Sequence, residues 1–358
     1  MSLHFHALKI KEVRKETPDC VSILFDVPIE LKEQFAFIQG QNVTLRKEIN
    51  GQDVRRSYSI CSSPLDNELR VAVKKVDGGL FSTYANEQLA KGDILDVMPP
   101  IGKFYVELNA SNEKNYVGFA AGSGITPLLS IIKTTLHTEP KSSFTLVYGN
   151  KNRLSIIFKE ALEALKNRFL NRFQLIHILS RERTDADINF GRIDAFKCDK
   201  LFEKLLPIHA DHFFLCGPEQ MIFSVKTFLE DRNVEAKKIH FELFTTTKKK
   251  PQVANSNYQE EDNSPKSEIT VKLDGRSFDF KLPFNGKNIL DAALEQGADL
   301  PYACKGGVCC TCKAKLLEGE VDMEVNWGLE HEEIEQGFIL TCQSHPKTEK
   351  VVIDFDVK

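Results

Sequence analysis

Apolar and polar residues alternate in short runs at residues 21–27, 41–49, 55–60, 69–76 and 93–98. Period-two runs of this length, with turn residues between them, predict strands of a small antiparallel barrel or sandwich. From about residue 115 the rhythm changes. Strand-like runs at 116–121, 144–149, 173–179, 212–217 and 238–244 alternate with helical stretches such as 155–169 and 219–232. That alternation predicts a parallel sheet with crossover helices. Residues 245–267 are rich in Lys, Asn, Ser, Gln and Glu, with few apolar positions and no period, and read as a flexible linker. Beyond it, 268–274 and 277–282 predict a hairpin and 288–297 a helix. The pattern divides the chain into a barrel at 1–110, an α/β domain at 111–244, a linker at 245–267 and a final domain at 268–358.

Length agrees with this division, because 358 residues exceed one ordinary core. An apolar content of 42% and a charged content of 27% are those of a soluble globular protein. A net charge of -4 argues against a nucleic-acid binder. The N-terminus lacks the apolar core of a signal peptide, and no run reaches the eighteen or so apolar residues of a membrane span. A cytoplasmic protein is expected.

Cysteine placement carries the first chemistry. Cys20, Cys61, Cys198 and Cys216 are scattered, whereas Cys304, Cys309, Cys310 and Cys312 crowd together and Cys342 follows. In a reducing compartment such a cluster points to metal rather than disulfides. Cys304-x4-Cys309-x2-Cys312, with Cys342 beyond, has the spacing of a plant-type [2Fe–2S] site. Two bridged irons need four thiolates, and a tight loop can supply three. Gly306 and Gly307 let that loop fold closely and aim backbone N–H groups at the sulfurs. The alternative is structural zinc, which usually pairs two knuckles, and no second knuckle is present. Cys310 falls outside the spacing and reads as a non-ligand or a reactive thiol.

Residues 296–312 resemble the cluster loop of plant-type ferredoxins, most closely the form fused to bacterial oxygenase reductases, and the resemblance covers 268–358. It implies an α+β, β-grasp domain. Arg56-Ser57-Tyr58-Ser59 resembles the flavin motif of the ferredoxin–NADP reductase superfamily. The resemblance implies that Arg56 pairs with the FAD pyrophosphate, Tyr58 packs on the isoalloxazine and Ser59 bonds near its reactive nitrogen. Alone, this motif equally fits an ordinary strand. Gly78-Gly79-Leu80-Phe81-Ser82-Thr83 follows in the family's order, and Gly79, Ser82 and Thr83 can hold pyrophosphate at a helix N-terminus.

Gly122-Ser123-Gly124-Ile125-Thr126-Pro127 stands at the first strand-to-helix turn of the parallel domain, where a nucleotide crevice is expected. Gly122, Gly124, Thr126 and Pro127 match the superfamily's form of this turn. Cys216-Gly217-Pro218-Glu219 resembles the later loop whose cysteine lies near the nicotinamide; a buried core thiol is the other reading. Ser180-Arg181 matches the pair that holds the 2′-phosphate in NADP-using relatives, with Arg presenting paired donors. Against this, Glu182 could offset both Arg181 and Arg183. Glu242 and Phe244 stand where relatives place an acid and an aromatic against the flavin, although plain strand core would also explain them.

The order FAD, nucleotide, ferredoxin resembles the reductase components of oxygenases, those of phenylacetyl-CoA oxygenase (epoxidase) systems foremost. It implies electron transfer from NADPH (or NADH) through FAD and a [2Fe–2S] cluster to a di-iron oxygenase. FAD is needed because hydride brings two electrons and the cluster takes one. Another oxygenase, a hybrid-cluster protein, a small-molecule acceptor or a cluster-based redox sensor are the rival readings. Residues 268–358 hold 10 Lys and Arg against 17 Asp and Glu, a net of -7 that leaves the remainder at +3. Electrostatic docking of an acidic ferredoxin domain follows as an expectation.

Overall fold

Twelve residues of mixed charge near the N-terminus form the longest strand among the described residues. β1 (His6–Thr17) buries Leu8 and Ile10 and exposes Lys9 and Lys11 beside them, and its pairing with the next strand is irregular at two points. With β2 (Cys20–Asp26), β3 (Asn42–Ile49), β4 (Gln52–Ser59), β5 (Leu69–Lys74) and β6 (Ile94–Val97) it makes an antiparallel sheet ordered β4-β3-β6-β1-β2-β5. A bridge from Ile60 to Val71, and Cys61 N–H donating to Arg70 O at 2.8 Å, join the two ends into a barrel. Leu8, Ile23, Val43, Leu45, Val71 and Val97 fill it, and α1 (Leu80–Glu87) packs Phe81 and Ala85 on this core. This computed structural model describes residues 4–244, 265–284 and 286–357.

The following segment is built from β7 (Asn115–Ala121), α2 (Ile125–Thr138), β8 (Ser143–Asn150), α3 (Lys159–Arg168), β9 (Phe173–Leu179), α4 (Ala195–Lys204), β10 (His212–Cys216), α5 (Glu219–Glu230) and β11 (Ile239–Glu242). The sheet order is β11-β10-β7-β8-β9, with every pair parallel. Helices on both faces explain why β7 is buried without interruption from Tyr116 to Ala120. The helix expected over 155–169 starts only at Lys159. Ile156, Ile157 and Phe158 are buried, and Phe158 takes the left-handed conformation (φ 58°) that begins the helix. Barrel and parallel sheet belong to one compact unit, Phe5–Leu243. A latch fixes them together: Ser130 Oγ donates to Ser62 O at 2.6 Å, the Ser63 and Thr134 hydroxyls meet at 2.8 Å, and Lys133 pairs with Asp66.

The C-terminal unit comprises β12 (Lys266–Leu273), β13 (Arg276–Pro283), α6 (Ile289–Glu295), β14 (Lys313–Glu318), β15 (Val321–Met323), α7 (His331–Glu335), β16 (Phe338–Leu340), β17 (Ser344–Pro346) and β18 (Lys350–Asp354). Its main sheet runs β13-β12-β18-β14-β16, with β12 and β18 parallel, and β15 pairs with β17 apart. Ile269, Val271, Ile289, Leu290, Ala293, Val351 and Ile353 form its core. β12 takes in Lys266 and Ser267, which the sequence pattern assigns to the linker; they pair with Pro283 and Leu282 across the hairpin. Of the rest of the expected linker, 245–264 lie outside the described residues.

Candidate flavin, nucleotide and cluster sites

β4 delivers the flavin motif to the barrel surface. Arg55 pairs with Asp53 at 2.9 Å, whereas Arg56 is exposed, donates only to the Arg55 carbonyl at 2.7 Å and makes no ion pair among the described residues. Its charge is therefore available to an anion. Tyr58 is half-buried with its ring centroid 5.5 Å from that of Phe81, and burial pushes its hydroxyl pKa up, so it stays neutral. Gly79 caps α1 without a side chain, leaving the first-turn N–H groups open to an anion. Ser82 turns inward instead: its hydroxyl accepts from Val76 N–H at 3.1 Å and donates to Gly79 O at 3.3 Å. Thr83 is half-buried one residue on, its N–H bonded to Gly79 O at 3.0 Å. An open cation, an open helix N-terminus and a neutral aromatic packed on Phe81 of that helix fit a pyrophosphate-bearing flavin.

The chain order of the parallel sheet reverses between β7 and β10, and their C-terminal ends form the crevice where such folds bind ligands. Gly122, Ser123 and Gly124 make a tight turn into α2, with Thr126 Oγ1 donating to Ser123 O at 3.0 Å and Pro127 buried in the first turn. Gly124 is required here by contact. A Cβ on it would run into the Cys216 carbonyl and stand 2.8 Å from the Gly217 nitrogen. The two loops expected to serve the nucleotide are thus pressed together. Beneath them the Tyr148 hydroxyl donates to Gly122 O at 3.0 Å. The buried Asn150 amide at the end of β8 meets the Tyr148 hydroxyl and leaves hydrogen-bonding capacity unused. Unused amide capacity at a buried strand end in this crevice fits a nucleotide contact.

Three groups from distant segments converge beside this crevice. Ser59 Oγ donates to Glu242 Oε2 at 2.9 Å, and Cys216 is the register partner of Glu242. Burial raises the Glu242 carboxyl to about 7 against the opposing Ser59 hydrogen bond. Burial likewise holds the Cys216 thiol well above its ordinary range, and the Glu242 charge adds to this. The group can keep or release a proton near neutrality at one atom pair, Glu242–Ser59. Phe244 follows β11 by two residues and is half-buried.

At the end of β9, Ser180 bonds Asn150 O through its N–H (2.9 Å) and its hydroxyl (3.3 Å). Glu182 is taken by Arg153, which reaches it through its backbone N–H at 2.9 Å and its Nε at 3.3 Å. It therefore does not neutralise its neighbours. Arg181 is exposed and makes no ion pair among the described residues, and Arg183 lies over the Phe190 ring at 5.5 Å.

In the C-terminal unit the four expected ligands stand as two pairs. The Cys309 thiol donates to Cys304 Sγ at 3.1 Å, and Cys312 is hydrogen-bonded to Cys342. Among the described residues no three Cys, His, Asp or Glu gather as for a single ion. Two pairs are the arrangement two irons need, each taking two thiolates. Gly306 N–H donates to Cys304 Sγ at 3.3 Å, and the Gly307 N–H serves Cys342. Gly307 has φ 73°, and a Cβ there would stand 2.7 Å from Val325 O. Lys305, left-handed at φ 51°, is tied by its Nζ to Asp291 at 2.7 Å. Gln343 Nε2 bridges Lys305 O (3.1 Å) and Cys342 O (2.8 Å), joining the loop to the fourth ligand. The sequence pattern singled out neither Gln343 nor Lys305, since a Gln beside a Cys carries no signal until the fold brings 305 and 343 together.

Three family descriptions match the chain: an oxidoreductase FAD-binding domain at 7–105, an oxidoreductase NAD-binding domain at 119–227 and a 2Fe-2S iron-sulfur cluster binding domain at 271–347. The chain belongs to the oxidoreductases that join these three domains, the family of oxygenase reductase components. It is 46% identical over 357 residues to one of the subunits of 1,2-phenylacetyl-CoA epoxidase from Escherichia coli (strain K12), covering 99% of this chain and 98% of that one. It is 34% identical to the ferredoxin reductase component of 3-ketosteroid-9-alpha-monooxygenase from Rhodococcus rhodochrous, covering 97% and 96%. Phthalate dioxygenase reductase, described as a modular structure for electron transfer from pyridine nucleotides to [2Fe-2S], superposes with a TM-score of 0.60 at 25% identity over 98% of both chains. No described helix is long and apolar enough to cross a membrane.

Proposed function

We propose that this chain is the cytoplasmic NADPH-dependent reductase of a di-iron, multicomponent oxygenase acting on phenylacetyl-CoA. The observation that carries this reading is the 46% identity to the phenylacetyl-CoA epoxidase protein along the whole chain. FAD, when bound, exchanges electron pairs with nicotinamide and single electrons with an iron–sulfur cluster. The chain's residues supply binding, orientation and charge. Arg56 and the α1 N-terminus at Gly79 would hold the flavin pyrophosphate, with Ser82 bracing that turn and Thr83 beside it. Tyr58 would pack on the isoalloxazine, and Phe244 would cover its other face. Ser59 and Glu242 would hold a proton near the reactive flavin nitrogen, with Cys216 keeping the adjacent wall dry. Gly122, Gly124, Thr126, Pro127 and Gly217 would shape the nicotinamide and phosphate crevice. Ser180 and Arg181 would take the 2′-phosphate. Cys304, Cys309, Cys312 and Cys342 would ligate the cluster.

The test is reconstitution. The purified, cofactor-loaded chain is mixed with the oxygenase proteins of a phenylacetyl-CoA epoxidase, and NADPH-dependent product is followed by mass spectrometry. In parallel it is mixed with the oxygenase of a 3-ketosteroid monooxygenase. Product with the first alone is expected. Product only with the second would overturn the substrate assignment while leaving the reductase class intact.

A further inference from the structure

Residues 181–191 leave β9 and return to it. Phe190 bridges Leu179 in parallel, and Gly191 N–H donates to Leu179 O at 3.0 Å. This closed strap begins with Arg181 and carries Arg183, whose guanidinium lies over Phe190. Behind it stands Lys197, on the first turn of α4 and only 7% exposed. Its Nζ donates to three carbonyls of the strap: Asp187 O at 3.2 Å, Ile188 O at 2.8 Å and Phe190 O at 2.8 Å. All three ammonium protons are thereby used. Its backbone N–H is bound in turn by the Asp194 side chain at 2.8 Å, so the same residue ties the strap to the helix start. No carboxylate forms an ion pair with Lys197 among the described residues, and burial lowers its pKa. A buried ammonium held by carbonyls alone is a costly way to secure a surface loop. That cost is understandable if the loop must hold its cations in fixed places.

We propose that Lys197 is a positioning residue for nucleotide selection, fixing the strap so that Arg181 and Arg183 face a 2′-phosphate. This rests on the NADPH reading above and names a residue that acts through others, touching no nucleotide itself.

The experiment measures binding of 2′,5′-ADP and 5′-AMP to the full flavin-loaded chain by calorimetry, for wild type and Lys197→Met. The methionine keeps the apolar stem and removes the donors. The 2′,5′-ADP affinity is expected to fall about tenfold, with 5′-AMP changed less than about twofold, as for the loss of a charge-assisted contact. In turnover the NADPH KM should rise with kcat and the NADH parameters unchanged. A structural prop would weaken both ligands alike, and that result overturns the proposal, as does no change in either. If Lys197→Met does not fold, Lys197→Gln, which retains a shorter donor, is read by the same titrations. Wild type binding both ligands equally would remove the NADPH reading and this inference with it. A wild-type preference kept intact in the variant removes the inference alone.

Discussion

Cysteine behaves uniformly in one unit of this molecule and divides within pairs in the other. In the flavin and nucleotide unit Cys20, Cys61, Cys198 and Cys216 are buried, and burial drives each thiol pKa upward. In the C-terminal unit each cysteine pair divides: the Cys309 thiol and the N–H groups of Gly306, Cys309 and Val308 pull Cys304 down to about 5 despite burial, the Cys312 thiol lowers Cys342 likewise, and Cys309 and Cys312 themselves are raised. The residue type is the same, and the supply of donors decides which thiol is held low. Those donors exist because the loop from Cys304 to Cys312 has no regular backbone pairing of its own to satisfy, so its amides turn toward sulfur.

The largest test of this contrast exchanges ligands and core thiols. Cys304→Ser or Cys342→Ser should abolish the visible absorption of the cluster and electron delivery to a protein acceptor. FAD content and NAD(P)H–ferricyanide activity should persist. Cys198→Ser, in the other unit, should leave both cofactors in place and lower only the melting temperature. Loss of flavin in the Cys304 variant would break the division between units.

Gly124→Ala probes the close approach that seals Cys216. Overpacking of this kind costs about 1–3 kcal/mol, and the two loops must separate to admit the methyl group. Melting should fall, and NAD(P)H-driven flavin reduction should slow in stopped flow while bound FAD stays near wild-type content. Unchanged hydride transfer would mean that the loops do not share the nucleotide.

Arg181→Ala carries the comparison from thiols to cations. If its unpaired charge waits for a phosphate, the NADPH KM should rise roughly ten- to hundred-fold, about 1.5–3 kcal/mol, with NADH little affected. An unchanged NADPH/NADH ratio would sink the 2′-phosphate assignment.

The smallest effect concerns Glu242, which like the core thiols is pushed toward its neutral form. Its carboxyl sits near 7 in the fold against an ordinary 4.5. Between those values the folded state retains a proton that the unfolded chain has lost, so stability should fall as pH rises from about 4.5 to about 7 and level off above. Glu242→Gln should flatten that stretch of the stability–pH curve. A slope identical to wild type would place the titration elsewhere.

Much of the fold was legible because burial imposes period. The five strands of the parallel sheet and the hairpin of β12 and β13 were visible as apolar runs, and the turn at Gly122 as glycine between strand and helix. β1 was not, because Glu12, Arg14, Lys15 and Glu16 mask its alternation and its register shifts twice. The late strands of the C-terminal unit were also missed, since three-residue strands such as β16 and β17 carry no measurable period. At the sites, spacing revealed the cysteines because covalent chemistry fixes their number. Gln343, Lys197 and the Ser62–Ser130 latch escaped notice because each acts through a backbone carbonyl that the fold, and not the local pattern, brings to it, and a carbonyl has no identity to read. Ser82 matched its motif, yet its hydroxyl serves the loop.

β18 lies inside the C-terminal sheet, between β12 and β14, rather than at its edge. Protein synthesis proceeds from the N-terminus, and domains generally fold as units in that order. The flavin and nucleotide unit can therefore close while the ribosome is still at work, but the cluster unit cannot. Its cysteines are translated before the strand that knits β12 to β14, so they leave the ribosome as reactive thiols on an open chain. Iron loading must wait until β18 has been made, or be guided by a carrier until then. A chain cut before Lys350 would keep every ligand cysteine and still lack the middle of the sheet that supports them. Premature termination there should yield a flavoprotein that oxidises NAD(P)H but cannot hold its cluster, a leak of electrons rather than a simple loss of enzyme.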